Sequence, residues 1–80
     1  MGRSEVGGKR SAITNHVRRI RLARTSFTQA DLAQKIGVTR QTVIAIEGGR
    51  YSPSLELAFR LSHALGEPIE KIFQFDASSL

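Results

Sequence analysis

The sequence predicts an all-α domain built from five short helices. Three observations predict it. Apolar residues recur at helical spacing, i, i+3 and i+4, in successive segments of this 80-residue chain. Ser or Thr stands before several of these segments, and Gly follows several of them, which are start and stop signals. No segment alternates with the two-residue period of a strand, apart from Phe73–Phe75, where two aromatics flank Gln74. With 40% apolar residues, a chain of this length supports one packed core and a single domain.

Taken in order, Met1–Ser11 is rich in Gly, Ser and charge and lacks periodicity. Residues 1–12 are expected to form a flexible basic arm, whose Lys9 and Arg10 either reach a nucleic-acid backbone or are an expression remnant. Thr14 is the expected cap of a first helix ending near Arg24, with Ile13, Val17 and Ile20 on its inner stripe and Arg18, Arg19 and Arg24 off it. Thr25–Ser26 reads as a turn. Thr28 caps a second helix, and Asp31, three residues on, forms a weaker capping box than Glu or Gln would. Leu32, Ala33 and Ile36 are its apolar face, and Gly37 closes it. Thr39 caps a third helix, Arg40–Glu47, with Val43 and Ile46 inward and Gly48 and Gly49 at its end. Ser52 or Ser54 caps a fourth, with Pro53 in its first turn, Leu57, Leu61, Ala64 and Leu65 inward, and Gly66 as its stop. Pro68 starts a short fifth helix through Phe73, with Ile69, Ile72 and Phe73 apolar. The domain is thus expected over residues 13–75, followed by a tail at 76–80.

Composition narrows the function. The net charge is +5, unevenly spread: residues 1–24 hold seven Lys or Arg against one acid, and residues 52–80 hold two against four. A basic first third suits a polyanion partner, although such charge also serves solubility alone. There is no cysteine, which removes disulfides, thiolate zinc sites and cysteine nucleophiles. His16 and His63 stand apart from each other and from any ligand spacing, so no metal is expected. Neither a phosphate-binding glycine loop nor a nucleophile elbow is present, so the chain reads as no enzyme and as needing no cofactor. No run approaches the roughly 20 apolar residues of a membrane span, and Met1–Ala12 lacks the apolar stretch of a signal peptide. A cytoplasmic chain without a membrane or small-molecule partner is the expectation.

The segment Gln29–Glu47 carries the most information. Two helices crossing steeply at a short turn need a small residue where they touch, and Ala33 supplies it. The turn needs a positive φ, and Gly37 supplies that. Val38, Val43 and Ile46 then lock the second helix onto the first, leaving Arg40, Gln41, Ile44 and Ala45 outward. Any helical hairpin remains an alternative at this point.

The stretch TQADLAQKIGVTRQTVIAIEGGRYSPSLELAFRLSHALG resembles the Cro/repressor-type (Xre) helix-turn-helix family, over about Ile13 to Phe75. The resemblance implies a compact, five-helix, lambda-repressor-like domain that binds double-stranded DNA, often as a homodimer on a palindromic operator. It places the helix-turn-helix at 29–47, with its second helix in the major groove. By position, Arg40, Gln41 and Ala45 read bases; Arg40 suits guanine and Gln41 suits adenine. Ile44 stands where the family is usually polar, and it either meets a thymine methyl or is an exposed apolar residue without a role. Gln29, Thr39 and Thr42 match backbone contacts, as do Arg50, Tyr51 and Ser52 in the following loop. Gly48 replaces the usual Asn. Arg21 and Glu47 match a partly buried salt bridge, although the turn before the second helix is one residue longer than usual. Ile69, Ile72, Phe73 and Phe75 are too apolar for a free terminus and form the expected dimer interface, unless Phe73 folds back onto the first helix. A repressor is the leading function. The alternative is a protein-interaction module, such as an antitoxin or a bridging cofactor, using Ile72–Phe75 and the acidic C-terminal third.

Overall fold

The first element among the described residues is a strand, not a helix. A computed structural model describes residues 12–80 and shows β1 (Ile13–Asn15), α1 (Val17–Arg24), α2 (Gln29–Ile36), α3 (Arg40–Glu47), α4 (Leu55–Leu65), α5 (Ile69–Ile72) and β2 (Phe73–Phe75). One 3-10 turn, Ala77–Ser79, follows. The expected arm at 1–12, with Lys9 and Arg10, lies almost wholly outside the described residues.

Among the described residues the domain is mostly helical, with the five helices expected, and a small two-stranded antiparallel sheet that the sequence reading did not include joins them. Ile13 faces Phe75, Thr14 faces Gln74 and Asn15 faces Phe73. Ile13 and Thr14 are β-branched and the opposing strand carries two aromatics, a combination that favours a pleated pair. Thr14 is therefore a strand residue and caps nothing. Ile13 is 46% exposed, so it does not belong to the inner stripe of α1. Asn15 serves the helix start instead: its Oδ1 accepts from the Val17 N–H at 3.3 Å. The His16 N–H then donates to the Ile72 carbonyl at 2.7 Å, tying the entry of α1 to the end of α5.

Local chemistry accounts for the middle helices. At α2 the Thr28 hydroxyl accepts from the Asp31 N–H at 3.0 Å, and the Asp31 carboxylate accepts from the Thr28 N–H at 2.9 Å. The Thr28 backbone N–H, and after it the Thr28 side chain, hold the Asp31 carboxyl below its ordinary pKa of 3.8. Gly37 ends α2 at φ 78°, in the left-handed region. Thr39 caps α3, and Ser54 rather than Ser52 caps α4. Pro53 therefore precedes the cap instead of occupying the first helical turn. After α3, Gly48 keeps φ at −83° and only Gly49 takes the left-handed conformation. Helix α5 stops at Ile72, and Phe73 passes into the sheet.

All five helices contribute to one core. Val17, Ile20, Leu32, Ile36, Val43, Ile46, Leu57, Leu61, Leu65 and Ile72 are buried in it, and Phe27, Val38, Ala64 and Phe73 pack around them. Ala33, 3% exposed, is buried in the same core. Among the described residues no helix is long and apolar enough to cross a membrane, and no group of three His, Cys, Asp or Glu side chains is placed to hold a metal ion.

Candidate nucleic-acid interface

Helix α3 has two unlike faces. Val43 and Ile46 are 1% and 0% exposed and key the helix onto α2. Arg40 and Gln41 stand exposed at its N-terminal end, and Ile44 and Ala45 are half-buried on the outer side. Thr39 and Thr42 are bonded to each other: the Thr39 hydroxyl accepts from the Thr42 N–H at 3.2 Å, and the two hydroxyls lie 3.1 Å apart. One hydroxyl proton bridges the pair, which leaves the other free to point outward.

A charged cluster beneath α3 joins three helices. Arg21 of α1 donates from Nε to Glu47 Oε2 at 2.7 Å and from Nη2 to Glu47 Oε1 at 3.2 Å, a bidentate pair. Their side chains are 8% and 3% exposed. Arg21 Nη1 also donates to the Phe27 carbonyl at 3.0 Å. Gln29, the first residue of α2, donates from Nε2 to Glu47 Oε1 at 3.1 Å. Sequence reasoning directed the Gln29 amide toward a phosphate. The fold turns one of its N–H groups inward to Glu47, and the amide has a second to offer.

The segment after α3 carries Arg50, Tyr51 and Ser52, all exposed. A side chain at position 48 would meet the Arg50 guanidinium, since an added Cβ would lie 2.9 Å from Arg50 Nη1. Gly48 thus leaves room for Arg50 to fold over the carboxyl end of α3, where a cation suits the helix dipole.

The pattern of two crossed helices, one keyed inward by Val43 and Ile46 and outward-facing through Arg40 and Gln41, matches a known family. A family model described as "Helix-turn-helix" covers residues 17–72, more than half of the chain. This chain belongs to the helix-turn-helix family. A relative from Methanothermobacter thermautotrophicus, called an uncharacterized HTH-type transcriptional regulator, is 63% identical over 51 residues, 62% of this chain and 74% of its own length. A second, of the same description, from Methanocaldococcus jannaschii, is 55% identical over 51 residues, 64% of this chain and 77% of its own. A third, from Bacillus subtilis, is 46% identical over 59 residues, covering 74% and 88%.

Within this helix-turn-helix domain some sequence-based placements change. Ile72 is 0% exposed and lies in the core, so it is not available to a dimer interface. Of its expected companions, Ile69 and Phe73 are half-buried and Phe75 is 56% exposed. The basic first third is also less cationic at its surface than its sequence: Arg21 is spent on Glu47, and Arg24 pairs with Glu67 at 2.8 Å. Arg18 and Arg19 remain exposed.

Two supporting residues escaped the sequence reading. Asn15 Nδ2 donates to the Ile46 carbonyl at 2.9 Å and so steadies the end of α3 from the strand. An Asn just before a helix is a capping signal, and it was open to notice. Arg60 Nη1 donates to the Ile36 carbonyl at 3.1 Å and closes α2 from α4. Local pattern marks Arg60 only through its i, i+4 pairing with Glu56, because the Ile36 carbonyl lies 24 residues away.

Proposed function

We propose that this protein is a sequence-specific, double-stranded-DNA-binding regulator of transcription, a repressor that binds a palindromic operator as a homodimer. The carrying observation is the outward face of α3: Arg40 and Gln41 exposed at its leading end, on a helix locked from behind by Val43 and Ile46. The names of its relatives as HTH-type transcriptional regulators support the same reading.

In this reading α3 enters the major groove amino end first. Arg40 pairs with guanine and Gln41 with adenine, each through two hydrogen bonds, while Ile44 and Ala45 lie against thymine methyls. Thr39 or Thr42 donates its outward hydroxyl proton to a phosphate. Gln29 gives its second N–H to the same strand, beside the positive end of α2. Arg50 supplies a cation to the backbone, with Tyr51 and Ser52 as neutral donors. The half-sites lie about one DNA turn apart, roughly 34 Å.

Selection of bound duplexes from a random pool tests this. An enriched palindrome is the expected result. Arg40→Ala or Gln41→Ala should relax preference at one position, by about 1–3 kcal/mol of discrimination. Arg50→Ala should weaken all duplexes alike and flatten the salt dependence by about one unit. No enrichment, or unchanged preference in Arg40→Ala, defeats the assignment.

A further inference from the structure

We infer that the outer face of α1 is a docking surface for an acidic, amphipathic helix of a different protein. The inference goes beyond the proposed function, since none of the residues assigned there to duplex DNA lies on this face.

Helix α1 has 8 residues, about 12 Å of length. Its inner face is committed to the domain, with Val17, Ile20 and Arg21 buried. Its outer face carries Arg18, Arg19, Leu22 and Ala23, all exposed. Spacings of three and four residues make these side chains neighbours on one surface. Leu22 is 58% exposed, so a large apolar side chain shares that surface with two cations. Toward the carboxyl end of α3 the face falls into an open hollow that Arg18, Arg19, Leu22, Ala23 and Glu47 help to line.

Charge decides which occupant fits. Arg21 is paired with Glu47 and Arg24 with Glu67, but neither Arg18 nor Arg19 has an acidic partner among the described residues. Glu47 does not offset them, because its carboxylate already accepts from Arg21 and Gln29. The face therefore presents two uncompensated cations around an apolar centre. A guanidinium takes a carboxylate through two parallel hydrogen bonds. A helix with Asp or Glu on either side of an apolar anchor satisfies both arginines and covers Leu22 in one contact.

Other occupants satisfy only half of the face. A phosphate backbone pairs with the arginines and leaves Leu22 and Ala23 without an apolar partner. A membrane surface needs a broad apolar helix face, and Val17 and Ile20 are already buried in the core. A second copy of this chain, docked face to face, would bring four arginines together.

Fluorescence anisotropy of two labelled synthetic peptides with the full chain tests the inference. The first, of about 16 residues, places leucines on one helical face with glutamates beside them, and the second scrambles the same residues so that no apolar face forms. The wild type should bind the first peptide about tenfold or more tightly than the second. Replacing Arg18 and Arg19 together by Ala should weaken the first by about tenfold or more, and Leu22→Ala by about fivefold. Alanine is the best helix former, so these variants should keep the circular dichroism of the wild type. Lys71→Ala, at an exposed cation of α5 outside the face, should leave peptide binding unchanged. In an NMR titration the amide signals of Arg18, Arg19, Leu22 and Ala23 should shift first. Equal affinity for the two peptides overturns the inference. So does undiminished affinity in either α1 variant, or an equal loss in Lys71→Ala. A doubly substituted chain that loses more on random duplex, or on phosphatidylglycerol vesicles, than on the peptide also overturns it, by assigning the arginines to phosphate. The DNA reading is scored apart, on the selected duplex, which Leu22→Ala should bind as the wild type does.

Discussion

Arg21 and Glu47 show how much one buried pair can carry at the residue scale. Glu47 receives three hydrogen bonds, two from Arg21 and one from Gln29, and so joins α1, α2 and α3 at one carboxylate. The pair adds little net stability over apolar replacements, because both charges lose water. Removing one partner is different, since it strands a buried charge. Arg21→Met should therefore cost about 3–5 kcal/mol in urea unfolding, and the double variant Arg21→Met, Glu47→Leu should recover a large part of it. Gln29 adds a second expectation. Glu47→Gln should weaken duplex binding partly by loosening the Gln29 amide. In a Gln29→Ala background the same substitution should have a smaller effect on duplex affinity, and additive effects would show that the two residues act separately.

The ends of α2 and α4 invite a matched comparison of elements. Gly37 and Gly66 both close helices in the left-handed region, at φ 78° and 72°. Alanine at either position meets the left-handed penalty of about 1–2 kcal/mol. Only at Gly37 would its Cβ also press on Arg60 Nη1, at 2.9 Å, whereas nothing lies within 4 Å at Gly66. Gly37→Ala should therefore lower Tm more than Gly66→Ala, and Arg60→Ala should shrink the difference. At the other end of α2, Asp31 is stabilised as a carboxylate by Thr28. Its folded pKa lies below its unfolded value, so its contribution is present in full above about pH 4 and fades as pH falls through the folded pKa. The Tm gap between wild type and Asp31→Asn should accordingly narrow in acid. A gap unchanged at pH 2 would contradict the capping account.

For the molecule as a whole, ligands and partners should shift stability together. A chain of this size has a small core, so a binding partner supplies a visible fraction of its stability. Tm should rise with chain concentration if folding and dimer formation are linked. A selected duplex held at a hundredfold its Kd should stabilise the fold by about 2.7 kcal/mol, and a scrambled duplex at the same concentration by less. Calorimetry at two chain concentrations, with and without duplex, measures both effects.

Much of this architecture was legible in local sequence. Thr28, Thr39, Gly37 and Gly66 set the limits of α2, α3 and α4 through bonds and dihedrals within a few residues, and local pattern records such interactions. The inward choice of Val43 and Ile46, and hence the outward choice of Arg40 and Gln41, follows from helical period alone. Tertiary structure decided the rest. Ile13–Asn15 is compatible with a helix start, and it becomes a strand because Phe73–Phe75 arrives some 60 residues later to pair with it. Ile72 resembles a surface anchor until α5 folds back and encloses it, and Gln29 resembles a free donor until α3 brings Glu47 beside it. Caps and periodicity act within a turn or two of helix, so the helix-turn-helix was written locally. Strand pairing, burial and the charged cluster depend on contacts between distant segments, and only the assembled core brings those segments together.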